Sequence, residues 1–324
     1  MTKIGDFARS LLGRVLAFAI GVAAVALIVR GIGVDVVGRA VADAAPFVPL
    51  VVALEACVVA CSVRALYTLY GDAARRVPTR AFVRAGLVGY AVAGIVPAGS
   101  AAGDATRAAL LARYVGAGRA GGTAARMQAV GLVANGAISI PCAIAAAIAT
   151  GASWLVAAIA INGAACLGLG LALLAIATRG RVGAWLGRRW KRAREFGAEL
   201  DAAMVDQRVV PFRAIAWELL GRCMQVVQNG VLVVCVGGAL GVGPAFLSEG
   251  IHLVAAMVGY IVPANLGATE GNYTLAASAL HLPTASAVSI ALLAHLAQLV
   301  WVVVGTIVLL VKPTARASAI APDT

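Results

Sequence analysis

Eight apolar runs limit what this chain can fold into. They lie near residues 15–30, 47–70, 81–96, 123–149, 152–178, 214–240, 246–266 and 285–311. Crossing ~30 Å of hydrocarbon as a helix takes roughly 20 residues, which is the scale of these runs. Within lipid a backbone must satisfy its own amides and carbonyls, and a helix does so inside one segment. Only 12% of the residues are charged and 62% are hydrophobic, where a soluble domain carries about 25% charged residues. The runs predict an all-α, polytopic transmembrane helix bundle, with little chain left for a soluble domain.

A net charge of +12 would suggest a nucleic-acid partner for a soluble protein. Here the basic residues cluster between apolar runs, as cytoplasmic loops do under the positive-inside rule, and no nucleic acid is expected. Lys3, Arg9 and Arg14 put the N-terminus inside. Arg75, Arg76, Arg80 and Arg84 mark the loop after the second run as inside, and Arg113 and Arg119 mark the next connection in the same way. A segment that begins and ends inside has not crossed, so 81–115 reads as a hairpin entering from the cytoplasm. The fifth run returns to the basic loop 179–213, richest in charge between Arg179 and Arg194. The last run must end inside beside Lys312 and Arg316, which requires 246–281 to turn back too, from the outside. Both termini are then cytoplasmic.

Sequence repetition agrees with this topology. Ile95-Val96-Pro97-Ala98 recurs as Ile261-Val262-Pro263-Ala264, and ungapped extension sets Asp104 on Glu270. The chain has 14 acidic residues in 324, so the matched acids weigh more than the tetrapeptide. Pro/Gly-broken apolar segments at corresponding places in two halves point to a transport site built from internal repeats. The halves are 1–150 and 151–324, each reading as span, span, hairpin, span. Three crossings per half turn the second upside down, which gives two inverted repeats with a Pro/Gly-broken re-entrant hairpin in each.

The small residues Gly99 to Gly103 leave amides open ahead of a helix whose N-terminus favours anions. Asp104 is expected to cap that helix, and Arg107 to pair with it or reach a phosphate. Glu270, near Asn272, has no basic neighbour in sequence, so its partner must come from another helix. Arg64 lies well inside the second run, Arg126 opens the fourth and Arg222 sits about two turns into the sixth. An unpaired arginine inside a membrane costs at least ~2.5 kcal/mol; the alternative for each is snorkelling to the cytoplasmic face. The expected substrate-binding set is Arg64, Pro97, Asp104, Arg107, Arg126, Arg222, Pro263, Glu270 and Asn272. Asp104 is expected to act as a fixed charged strut, while for Glu270 a strut and a proton-exchanging group stay open. Glu55 and His295 read as interhelical hydrogen-bonding groups sooner than as proton relays, and Gln225, Gln228 and Asn229 as a polar stripe.

The six cysteines lie in apolar runs without ligands at zinc spacing and read as small buried side chains. No nucleophile elbow, phosphate-binding loop or His-Glu-x-x-His is present, so no catalysis, metal or cofactor is expected. Arg30, Asp35 and Arg39 separate the first run from Ala42-Asp43-Ala44, which favours an uncleaved span over a signal peptide. Trp185 and Trp190 read as interfacial anchors.

The run Gly89-Tyr90, Ile95-Val96-Pro97-Ala98-Gly99, Gly103-Asp104, Arg107 and Leu110 to Arg113, followed by Ala124-Ala125-Arg126, resembles one signature of the lysylphosphatidylglycerol synthase transmembrane-region family. Val262 to Gly271 resembles its second, a Pro-Gly-Gly-x-Gly-x-x-Glu-like element, with Asn265 where Gly is frequent. In the first, Ser100-Ala101-Ala102 stand where Gly is usual. The resemblance implies a lipid-handling protein of the bacterial inner membrane. It implies a stand-alone flippase-like region, lacking the aminoacyl-transferase domain of bifunctional members and related to hopanoid- or polyprenyl-associated ones. The expected function is movement of a lipid or an anionic lipid-linked carrier between leaflets. The alternative is a non-transporting accessory that docks a lipid- or glycan-synthesis enzyme through the basic 179–194 stretch.

Overall fold

The computed structural model describes residues 33–96, 98–179 and 210–311, with scattered positions among 26–30 and 183–201. The first apolar run, most of the 179–213 loop, Trp185, Trp190, Lys312, Arg316 and Pro97 lie outside the described residues. Among the described residues every regular element is helical. They are α1 (Val34–Ala44), α2 (Val48–Tyr70), α3 (Thr79–Ile95), α4 (Gly99–Val115), α5 (Ala117–Thr150), α6 (Trp154–Arg179), α7 (Phe212–Cys235), α8 (Val242–Val258), α9 (Ala268–Ala276) and α10 (Thr284–Leu310). Four stretches have the length and composition to cross a membrane: Val34–Arg76, which contains α1 and α2, then α5, Trp154–Ala177 of α6, and α10. At 24 residues α7 has the length as well, but it carries Arg213, Glu218 and Arg222.

Two hydrophobic cores lie toward opposite ends of the bundle. One gathers Leu69 and Tyr70 of α2, Phe82 of α3, Leu111 of α4, Val130 of α5 and Ala214 of α7. The other gathers Val51 of α2, Cys142 and Ala146 of α5, Leu155 of α6, Leu232 of α7 and Ile290 of α10. The end near the first core carries Arg75, Arg76, Arg80, Arg84, Arg113 and Arg213. The connections at the other end, 151–153, 236–241 and 277–283, contain no lysine or arginine. Arg84 closes the basic end by donating to the carbonyls of Val311 (2.8 Å) and Leu309 (3.2 Å), which otherwise lack helical partners at the end of α10.

The two copies of Ile-Val-Pro-Ala are both helix breaks, with closely matched backbones. Val96 (φ −101°, ψ 139°) and Val262 (φ −95°, ψ 129°) are extended. Ala98 and Ala264 are left-handed, at φ 55° and 54°, a conformation rare for a residue with a Cβ. The breaks also touch: the Ala98 amide donates to the Tyr260 carbonyl at 3.1 Å. After the first break the chain re-enters a helix at once. Asp104 is therefore the sixth residue of α4 and sits in its second turn, instead of capping the helix as the sequence suggested. The alanines around it are strong helix formers, so the returning arm starts at Gly99 and not at 104. Its 17 residues reach about 26 Å, whereas α9 with 9 residues reaches about 14 Å.

Small residues let α3 and α4 lie against each other as an antiparallel pair. A Cβ on Gly103 would come within 2.6 Å of the Gly89 carbonyl oxygen, so the backbones meet where no side chain fits. Gly103→Ala should therefore destabilise the protein by about 1–3 kcal/mol through overpacking. The expected readout is a lower midpoint in thermal unfolding of the detergent-purified protein, against little change for Gly131→Ala, where the added Cβ meets open space.

Candidate functional site

The interior between the two cores is polar. On α7, Glu218, Arg222, Gln225 and Asn229 follow at spacings of four, three and four, which places them along one helix face. That face borders a cavity of about 430 Å³ lined by Ser100, Asp104 and Arg107 of α4, Glu218 and Arg222, and Gln298 of α10. Tyr260, Ala264 and Asn265 bring the second break onto the same wall. A cavity of about 230 Å³ shares Ser62, Glu218, Arg222, Asn265 and Gln298 with it, and adds Glu55, Tyr90, His252 and His295. The shared residues make the two cavities one polar tract, with Glu218 and Arg222 on the common wall.

Asp104 accepts a hydrogen bond from Arg107 at 2.7 Å, with side chains only 9% and 14% exposed. The Arg107 Nε has no partner, so this guanidinium keeps an unused donor. Gly89 makes room for it, because a Cβ there would stand 2.6 Å from the Arg107 Cγ. Arg222 donates to the neutral Gln225 Oε1 at 2.6 Å and makes no ion pair among the described residues. The Glu218 Oε1 is also without a partner.

Glu55 is held by two other helices. Tyr90 donates to it at 2.5 Å and Gln228 at 2.9 Å, while Gln228 also reaches the Val51 carbonyl at 3.1 Å. Asn229 donates to Glu249 at 2.6 Å. Glu55 therefore makes the interhelical bonds expected of it, with Gln228 of the polar stripe as one donor. Glu270, fully buried, accepts the Gly267 amide at 2.8 Å. Its second oxygen lies 3.3 Å from the His295 Nε2 without hydrogen-bond alignment. The partner on another helix that its sequence surroundings called for is thus His295.

The structure brings Asp104, Arg107 and Arg222 to one cavity. It does not bring the rest of the expected set there. Arg64 is exposed, lies over the rings of Tyr67 (5.5 Å) and Trp217 (5.6 Å), and lines neither cavity. Arg126 is buried in α5, but the wall is formed by its neighbours Met127 and Gln128. Asn272 ties α9 to α8 by donating to the Ile251 carbonyl at 3.0 Å. Pro263 is buried in the short 3-10 turn of the second break, and Pro97 lies outside the described residues. Glu270 lies behind the wall, where its neighbour Thr269 lines the smaller cavity. Glu218, His252 and Gln298 line the tract without having been singled out, and Tyr90 had been named only within the first signature. The spacing of Glu218 to Arg222 and of His295 to Gln298, one helical turn each, was the available signal. All six cysteines are free, and no metal-binding cluster occurs among the described residues.

A family model described as the lysylphosphatidylglycerol synthase TM region matches residues 14–305, nearly the whole chain. The chain belongs to this family. No curated protein and no solved structure matches it. Membership in a transmembrane-region family, together with the long apolar helices, makes this a multi-pass membrane protein with a lipid-related function. Both family signatures fall on the polar tract: the first supplies Tyr90, Asp104 and Arg107, and the second supplies Ala264 and Asn265.

Removing one partner of a buried ion pair costs about 3–5 kcal/mol, while removing both is far milder. Asp104→Asn should therefore lower the unfolding midpoint more than the double variant Asp104→Asn/Arg107→Gln. Equal or additive losses, measured in detergent, would show that the two side chains do not act as a pair.

Proposed function

We propose that this protein moves an anionic lipid, or an anionic lipid-linked carrier, between the leaflets of a bacterial inner membrane, without covalent chemistry. The observation that carries this reading is Arg222, a cation inside a polar cavity of the bundle whose hydrogen-bond partner is neutral. A phosphate would satisfy it and the spare Nε donor of Arg107 together, both by charge-assisted bonds. Asp104 then holds Arg107 in place until the phosphate arrives.

Alternating access through inverted repeats is part of the proposal, and the packing supports it. Exchanging α2 with α7, α3 with α8, α4 with α9 and α5 with α10 turns each packed pair among these eight helices into a packed pair. Thus α3 lies on α10 as α8 lies on α5, α4 on α5 as α9 on α10, and α2 packs on α7 itself. The contacts of Gln228 with Val51 and of Gly221 with Cys61 make α2 and α7 antiparallel, as an inverted pair requires. Under the positive-inside rule the arginine-rich end is cytoplasmic.

The test is a leaflet-resolved assay of fluorescent phosphatidylglycerol in phosphatidylethanolamine/phosphatidylglycerol proteoliposomes. Arg222→Ala should slow movement by about tenfold to a hundredfold, the value of a hydrogen bond to a charged group. Arg222→Lys should recover part of that, because an ammonium cannot make the forked contact. Arg64→Ala should stay near wild type, since Arg64 lies off the cavity wall. No movement above empty liposomes would remove the proposal. For orientation, Asp72→Cys and Ala117→Cys should be labelled from the cytoplasmic side, and Gly243→Cys and Thr284→Cys from the opposite side.

A further inference from the structure

Glu270 is 0% exposed and forms no part of either cavity wall. Its Oε2 takes the Gly267 amide, while its Oε1 faces only the His295 Nε2, 3.3 Å away, and neither of those two atoms has any other partner. The two residues belong to different elements: Glu270 is the third residue of α9, just past the second break, and His295 lies near the middle of α10. Only His295 lines the polar tract, so only the imidazole can exchange a proton with it directly.

We propose that Glu270 and His295 form a proton-binding pair whose occupancy sets how the second break docks on α10, and thereby couples lipid movement to a proton gradient. This rests on the lipid-moving reading above. With protons on both ring nitrogens, the buried carboxylate faces a cation and the Nε2–H, and α9 is held on α10. Once the ring gives one of its protons to the cavity the cation is gone, and the neutral ring offers the carboxylate at most a single N–H. The carboxylate then has only neutral donors, the Gly267 amide among them, and the α9 N-terminus. A buried charge deprived of its partner is strongly destabilising, so either α9 shifts or the carboxylate takes up a proton itself.

A shift of α9 has somewhere to act. Ala264 and Asn265, six and five residues before Glu270, are left-handed and line both cavities. Movement there changes the wall that Arg222 and Glu218 share. The other ionisable groups near the pair are Glu55 on α2, Tyr90 on α3, Glu218 and Arg222 on α7, Glu249 and His252 on α8, and Tyr273 on α9. Of these, His252 is the other imidazole lining the tract and serves as the control.

The experiment uses the same proteoliposomes and reads the ratio of phosphatidylglycerol movement with and without an imposed pH gradient. The wild-type ratio should differ from one by about fivefold or more, the size of an ordinary coupling free energy. Glu270→Gln and His295→Gln should each bring it to one, while His252→Gln keeps it. A ratio that survives both substitutions, or that follows His252 instead, overturns the proposal. If Glu270→Gln does not fold, His295→Gln decides alone. If the wild type moves no lipid, the lipid-moving reading fails and the pair is judged by infrared titration in detergent between about pH 5 and about pH 8, the range in which histidine changes charge. A carboxyl band that titrates there, is absent in Glu270→Gln and is displaced in His295→Gln supports the pair. The lack of such a band sinks it.

Discussion

A helix broken inside a bilayer frees amides and carbonyls that lipid cannot satisfy, so a break survives only where protein or trapped water receives them. Here the two breaks receive each other. The Ala98 amide meets the Tyr260 carbonyl, and the short turns around them form a wall of the polar tract. Much else follows from that contact. α3 and α4 must lie close enough for the first break to reach inward, which requires Gly89 and Gly103 where their backbones meet. The second break must be anchored from behind, which Asn272, Tyr273 and Glu270 do through bonds to α8 and to its own turn.

The charges are arranged around this centre in layers. Toward each end the bundle is apolar, with separate cores. Between them Glu55, Asp104, Glu218, Arg107 and Arg222 share one tract. Each acid but Glu218 has a donor on it, and these donors come from other helices for Glu55 and from the same helix for Asp104. Glu55 therefore fixes how α2, α3 and α7 sit together, while the Asp104–Arg107 pair is local to α4 and can open without unpacking a helix. That difference separates a carboxylate that ties three helices together from one whose bond stays within a single helix.

The repeated Ile-Val-Pro-Ala was legible because a break needs an unusual local sequence, and both copies proved to have extended valines followed by left-handed alanines. The apolar runs were legible because membrane depth sets helix length. The cavity wall was not, and the reason is physical. In a long apolar helix a single Arg or Glu has the same sequence context whether it faces a cavity, an aromatic neighbour or the rim. Arg64 and Arg222 looked alike in sequence. The rotation of α2 carries Arg64 onto Tyr67 and Trp217, and the rotation of α7 carries Arg222 inward with Glu218, Gln225 and Asn229. Periodicity of polar residues within α7 held that information; the isolated residue did not.

The matched acids show where repetition and function part. Asp104 and Glu270 occupy equivalent places after equivalent alanines, yet one faces the larger cavity beside an arginine and the other is sealed behind the wall beside a histidine. The cause is the path after each break. The first re-enters a helix at Gly99, so six residues carry Asp104 past the first turn and onto the cavity side. The second spends Asn265, Leu266 and Gly267 outside helical geometry, so the same six residues bring Glu270 only to the third position of α9, where its carboxylate turns back to the Gly267 amide. The two breaks thus share a local backbone plan but differ in the side chain set beside each acid: an arginine on the cavity side of the first, a histidine on the facing helix at the second.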